Sequence, residues 1–268
     1  MGSLSGQVAC ITGGTRGIGR AIAEAFVAEG ASVVINGRSA EKGTEAVEAL
    51  LAIANSAGMD AGDAAHFVAG DVKRREDCEA LVDAAVERYG RLDILVCNAG
   101  GGSNYAPVAA MTDEAMQDAL LWNFWHTFWT MRKALNVMIP QESGRIMAIS
   151  SLEGKVGKPA ISSYVVSKHA INGLVKSVAK EVGTLGITVN ALCPGAIETD
   201  VMKSDGPGAA EAMGLTYQGL LDMFAQESAI KRLNSVEDVS AVALLLASKA
   251  GAGITGSLIS IDGGTSPY

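Results

Sequence analysis

Apolar residues along this chain follow two rhythms that alternate. Short runs rich in β-branched residues occupy 8–12, 32–36, 66–69, 93–97, 145–150, 188–192 and 257–261. Each is nearly continuous in apolar character, the pattern of a strand covered on both faces. Between them lie longer stretches with apolar residues three and four apart. Ile18, Ile22, Ala25, Phe26 and Glu29 share one face of the first, and Leu81, Ala85 and Val86 mark a later one. Alternation at this rhythm predicts an α/β class: a doubly wound parallel sheet of about seven strands with helices on both faces. No Pro/Ser-rich linker and no repeat of fixed period divides the chain, so residues 1–268 read as one domain. One stretch breaks the rhythm. Residues 199–227 carry Met and Gly, are helical in places and lie between two strands, which fits a lid or a packed helical pair.

Composition narrows the possibilities. Hydrophobic residues make 49% and charged residues 19%, which excludes a disordered chain. Glycine contributes 32 residues without a G-X-Y period, so the excess goes to tight turns and close backbone approaches. The net charge of −8 is opposite to the basic face that a nucleic-acid partner needs. Cys10, Cys78, Cys97 and Cys193 are dispersed, as are His66, His126 and His169. No metal-ligand spacing joins them, so no metal is expected, and the thiols read as reduced and buried. The first residues lack the basic and apolar regions of a secretory signal, and Gly6 stands where a myristoylation motif needs Ser or Thr. No apolar run reaches the roughly 18 residues of a membrane span. A cytoplasmic protein without a membrane partner is expected.

Candidate chemistry begins after the first strand, with Thr12, Gly13, Gly14, Thr15, Arg16, Gly17, Ile18 and Gly19 ahead of a helix. Strand, glycine turn and helix N-terminus together make an anion site, because free N–H groups and the helix dipole face a pyrophosphate. Gly13 permits the turn, Gly17 admits the phosphates and Gly19 lets helix and strand pack closely. The second strand ends at Asn36, Gly37, Arg38 and Ser39, where an NAD site usually carries an acid for the ribose 2′-hydroxyl. Arg38 and Arg16 instead suit a 2′-phosphate through charge-assisted bonds, so NADP(H) is preferred and NAD(H) remains open.

Tyr164 and Lys168 stand four apart, on one face of a helix. A nearby ammonium, with the positive nicotinamide of an oxidised cofactor, favours the phenolate, and a Tyr brought toward neutrality serves as general acid or base. Ser151 ends an apolar strand, where ligands sit in open parallel sheets, and offers a hydroxyl to a substrate oxygen.

These residues, with Asp71 and Val72, the run Asn98, Ala99 and Gly100, then Asn123, Pro194 and Gly195, resemble the short-chain dehydrogenase/reductase family over essentially the whole chain. The resemblance implies a Rossmann-type nucleotide-binding and catalytic domain that moves hydride between a nicotinamide and a ketone or secondary alcohol. It implies that Ser151 positions the substrate, Tyr164 transfers the proton, and Lys168 bonds the nicotinamide ribose and biases Tyr164. Asn123 would hold a water in a relay through Lys168. Besides the glycine loop (Gly13, Thr15, Arg16, Gly17, Ile18, Gly19) and the tip residues Arg38 and Ser39, it implies cofactor contacts from Asp71, Val72, Asn98, Ala99, Gly100, Ile197 and Thr199, and a place for Pro194 and Gly195. A homotetramer, or a dimer, is the implied assembly. Cys97 replaces the usual first Asn, and His126 follows Asn123 where a small residue is common. His126 lies in an aromatic run, Trp122, Phe124, Trp125, Phe128 and Trp129, which reads as helix packing, a subunit seam or a pocket wall. A 3-oxoacyl-thioester reductase and an NAD-linked alcohol or hydroxy-acid dehydrogenase are the alternative enzymes. A catalytically dead nucleotide sensor on the same fold needs no Tyr–Lys pair.

Overall fold

A computed structural model describes residues 2–102 and 105–266. Seven strands form one sheet: β1 (Val8–Ile11), β2 (Ser32–Gly37), β3 (Ala65–Ala69), β4 (Ile94–Cys97), β5 (Gly144–Ile149), β6 (Ile187–Pro194) and β7 (Leu258–Ile261). Every pairing is parallel, in the order β3-β2-β1-β4-β5-β6-β7. The chain runs outward from β1 to β3, then crosses back to place β4 beside β1. That reversal opens a crevice beyond the carboxyl ends of β1 and β4, the usual ligand position in such sheets.

The helices are α1 (Gly17–Ala28), α2 (Ala40–Ser56), α3 (Arg75–Tyr89), α4 (Asp113–Leu120), α5 (His126–Gln141), α6 (Ser162–Val182), α7 (Asp200–Ala212), α8 (Tyr217–Glu227) and α9 (Val236–Ala247). Successive side chains of a strand point to opposite faces, so each strand feeds two cores. Ala9 and Ile11 of β1 join Ile22, Phe26 and Leu246 on one face. Val8 and Cys10 join Leu81, Met131 and Val175 on the other. This double burial explains the continuous apolar runs in the sequence. The buried face of α1 is Gly19, Ile22, Ala23, Phe26 and Val27, turned from the face through Ala25 and Glu29 that spacing suggested. Neighbouring α9 packs there and selects the small residues. Strand β6 is also longer than its apolar run, because Ile187, Cys193 and Pro194 are buried with it.

Residues 199–227 fold as a helical pair. Thr199 and Thr216 cap α7 and α8, accepting hydrogen bonds from the backbone N–H groups of Met202 and Gly219. Five residues between α4 and α5, Leu121–Trp125, form a π-helical turn. Among the described residues no cluster of His, Cys, Asp or Glu is placed to hold a metal, and no helix is long and apolar enough to cross a membrane.

Candidate active site

The glycine loop is held from three sides. Thr12 Oγ1 accepts from the backbone N–H groups of Asn98, at 2.8 Å, and Ala99, at 3.0 Å. Asn98 Nδ2 donates to the carbonyls of Thr12 (2.9 Å) and Gly13 (3.2 Å). The run Asn98, Ala99 and Gly100 thereby ties the end of β4 to the loop. A side chain on Gly19 would collide with the Asn98 amide, which explains that glycine by packing. Gly13 and Gly17 have φ of +63° and +55°, a region that glycine enters without strain. Ile18 packs on the core, and a Cβ on Gly37 would meet the Thr15 methyl at 2.9 Å.

Asn36 provides the third tie. Its buried side chain accepts from the Gly13 N–H at 3.1 Å and donates to the Gly70 carbonyl at 3.2 Å, joining the ends of β1, β2 and β3. In the sequence it stood out only as a neutral residue at the tip of a strand. Its clamping role depends on three strands meeting there. Ser39 caps α2, accepting from the Lys42 N–H at 3.3 Å. Asp71 turns the chain after β3 by accepting from the Lys73 N–H, and Val72 is buried beside it. Gly195 donates to the Ile261 carbonyl and follows directly on the end of β6. Ile197 is buried, and the Thr199 side chain lies 3.7 Å from a Cβ built on Gly17, so the segment after β6 reaches the glycine loop.

This crevice fits a dinucleotide. Its loop is rich in glycine, and α1 follows Arg16 with no side-chain cap on its N-terminal N–H groups. Arg16 and Arg38 are exposed, and among the described residues neither is held in an ion pair.

The second constellation gathers at the ends of β4 and β5. Lys168 is buried, donates through Nζ to the Ile149 carbonyl at 2.8 Å, and lies 5.4 Å from the centre of the Tyr164 ring. A Cβ built on Gly100 would come within 2.5 Å of Asn123 Oδ1 and 3.6 Å of Lys168 Nζ, so these three residues converge. Asn123 spends its side chain on backbone: Oδ1 accepts from the Gly101 N–H, and Nδ2 donates to Gly101 and Ala119 carbonyls. Its own carbonyl accepts from Thr127 Oγ1 at 2.9 Å, and it sits within the π-helical turn. Such turns recur at functional sites because they re-aim backbone groups. His126 is buried, bonds the Trp122 carbonyl through Nδ1 at 2.7 Å, and is pushed down to about 3 by burial. A neutral His126 therefore braces this turn.

Ser151 follows β5 and begins a short helical turn, Leu152–Gly154. Two bonds lock that turn to α6: Ser150 Oγ to the Lys168 carbonyl, and Asn172 Nδ2 to the Gly154 carbonyl at 2.8 Å. Ser151 Oγ donates to Glu153 Oε2 at 2.5 Å. Glu153 and Asn172 escaped the sequence reading, since neither carries a recognisable spacing signal.

Without the positive nicotinamide, burial governs both groups. Burial pushes the Tyr164 phenol above its usual range, and the Ser151 hydroxyl draws it partly back. Burial lowers Lys168 from 10.5 to about 8. Buried Lys168 and half-buried Tyr164 are thus each biased toward the uncharged form. The arrangement offers a proton donor and a second hydroxyl at the mouth of a dinucleotide crevice.

The short chain dehydrogenase family matches residues 7–209. An oxidoreductase of Sarocladium schorii is 37% identical over 261 residues, covering 97% of this chain and 96% of that one. A D-beta-hydroxybutyrate dehydrogenase of Rhizobium meliloti is 35% identical over 259 residues, covering 96% and 98%. Among solved structures, an actinorhodin polyketide ketoreductase variant with NADPH superposes with a TM-score of 0.90 at 31% identity, covering 99% of each chain. Crevice, constellation and these likenesses agree: the chain belongs to the short-chain dehydrogenase/reductase family and is an NAD(P)-dependent oxidoreductase of CH–OH and C=O groups.

Proposed function

We propose that this enzyme interconverts a largely apolar ketone and its secondary alcohol, with Tyr164 as general acid and base and NADP(H) preferred over NAD(H). The observation that carries the reading is the convergence of Gly100, Asn123, Lys168 and Tyr164 beside Ser151, at strand ends that also hold the glycine loop. When bound, the nicotinamide supplies or accepts the hydride. Gly13, Thr15, Gly17, Ile18 and Gly19 would hold its pyrophosphate. Arg16, Arg38 and Ser39 would hold a 2′-phosphate, and Asp71 and Val72 would flank the adenine. Asn98, Ala99 and Gly100 would support the cofactor side of the crevice, with Pro194, Gly195, Ile197 and Thr199 near the carboxamide.

Tyr164 gives its phenolic proton to the carbonyl oxygen in reduction and takes one back in oxidation. Ser151 bonds the same oxygen and fixes its direction. Lys168 uses one N–H on Ile149, and its remaining donors would bond the nicotinamide ribose and bias Tyr164. Asn123, within the π-helical turn, would hold a relay water beside Lys168.

Helices α7 and α8 are assigned as the substrate lid. Gly206, Pro207 and Gly208 lie in the middle of α7, which weakens its internal ladder and suits a moving element. Exposed Trp125 and Val166 on neighbouring outer helix faces support a homotetramer, and four buried, unpaired thiols support a cytoplasmic setting.

The testing experiment is a panel of ketones and alcohols with NADPH, NADH and their oxidised forms, followed at the reduced nicotinamide band. Turnover of apolar ketones with NADPH is expected. Activity confined to sugars and polyols overturns the substrate reading.

A further inference from the structure

Ser151 has one hydroxyl proton, and Glu153 holds it. The Ser151 Oγ to Glu153 Oε2 contact is 2.5 Å, and the Glu153 N–H returns a bond to Ser151 Oγ at 3.3 Å. The Glu153 side chain is 17% exposed. The charges and titratable groups around Tyr164 come from three places. Glu153 and Ser151 follow β5, Tyr105 lies in the loop after β4 and Lys168 is on α6, while Asp205 of α7 acts on Tyr105. Glu153 raises the proton affinity of Tyr164, Tyr105 and Lys168 alike, so its charge reaches the whole reacting corner. Its counter-ion is distant. Lys158 Nζ stands 3.9 Å away, is 38% exposed, and lies 4.7 Å over the Phe224 ring of α8. An ion pair that long and that wet compensates little.

We propose that Glu153 is a positioning and specificity-determining residue. It orients the Ser151 hydroxyl and fixes a negative charge beside the reacting carbon–oxygen bond, so that neutral ketones and alcohols are taken and those with a carboxylate near the carbonyl, as in a β-keto acid, are refused. This rests on the reading of Ser151 and Tyr164 as the reacting corner. A neutral carbonyl oxygen draws the Ser151 proton from Glu153 at the cost of that one bond and brings no second charge to the corner. A substrate carboxylate in that corner brings a second anion to one hydroxyl, and like charges a few ångströms apart repel strongly where solvent is partly excluded. The relatives bracket this choice, one being named a D-beta-hydroxybutyrate dehydrogenase and another, from Mediterraneibacter gnavus, a 3beta-hydroxysteroid dehydrogenase. The position of Glu153 places this chain with neutral substrates.

The test compares kcat/KM for a β-keto ester and its free acid, methyl acetoacetate against acetoacetate and a benzoyl-bearing pair beside them, with NADPH. The ratio of acid to ester is the readout, because a shared loss from disturbed folding or from Ser151 cancels in it. Wild type is expected to favour the ester. Glu153→Gln keeps an acceptor for Ser151 and drops the charge, and should raise the acid-to-ester ratio about tenfold, chiefly through KM of the acid. Lys158→Ala, at an exposed position, should lower the ratio. A ratio unchanged in both variants, or a wild type that prefers the acid, overturns the assignment while leaving the reductase reading intact. Turnover of neither ester nor acid by the wild type overturns that reading and this assignment together.

Discussion

Lys168 Nζ donates to the Ile149 carbonyl at 2.8 Å, pinning an ammonium of α6 to the last residue of β5. The bond satisfies a strand-end carbonyl and fixes where the charge sits, but it places that charge in a buried site. Burial holds Lys168 at about 8 instead of 10.5. Between those values the folded chain binds fewer protons than the unfolded chain, so this group's contribution to stability is least favourable below pH 8 and improves as pH rises. Lys168→Met removes that dependence. The stability of wild type minus that of the variant, from urea unfolding of the apoprotein, should rise by about 2 kcal/mol between pH 7 and pH 10. A flat difference would show that Lys168 is not desolvated. Taking the difference removes the opposing contribution of the buried thiols, whose proton affinity is raised and which therefore lose stability at high pH.

Tyr164→Phe keeps the ring and removes the proton donor. Turnover should fall at least about 100-fold with cofactor affinity preserved, the usual size of a general acid–base contribution. Steady-state kinetics alongside dinucleotide titration checks both halves. A variant that keeps a tenth of wild-type kcat is incompatible with the assigned role. Lys168→Ala should damage turnover and cofactor affinity together.

Arg38→Asp should reverse the cofactor preference. Charge-assisted bonds to a phosphate contribute about 1.5–3 kcal/mol each, so one net contact gives wild type roughly 10- to 150-fold discrimination for NADP(H). The ratio of kcat/KM for the two cofactors measures it directly. Equal ratios in wild type would make Arg38 an adenine platform, stacked on a face that both cofactors share.

Asn36→Ala should destabilise the protein by about 1–3 kcal/mol, since it strips partners from the Gly13 N–H and the Gly70 carbonyl. The KM for the dinucleotide should rise as the glycine loop loosens. A stability change without any effect on cofactor KM would confine Asn36 to the fold.

Phe224→Ala on α8 removes both the ring that Lys158 covers and apolar surface from the proposed lid. KM for bulky apolar ketones should rise several-fold, with small ketones less affected. Equal effects on both would remove α8 from the pocket.

Much of this protein is written in local pattern. Seven apolar runs became seven parallel strands, because a strand covered on both faces needs apolar residues at nearly every position. The glycine loop was legible because backbone approach and positive φ demand glycine at Gly13 and Gly17 whatever the surroundings. The pairing of Tyr164 and Lys168 was legible because four residues are one helical turn. Tertiary structure decided what depends on neighbours distant in sequence. Asn36 became a clamp because three strand ends converge on it, and Thr12 because β4 lies beside β1. The uncharged bias of Tyr164 and Lys168 is a consequence of burial, which spacing along the helix cannot express. The hold of Glu153 on the Ser151 proton depends on a turn locked to α6 through Asn172 and Ser150, and hydrogen bonds of that reach leave no period in a sequence.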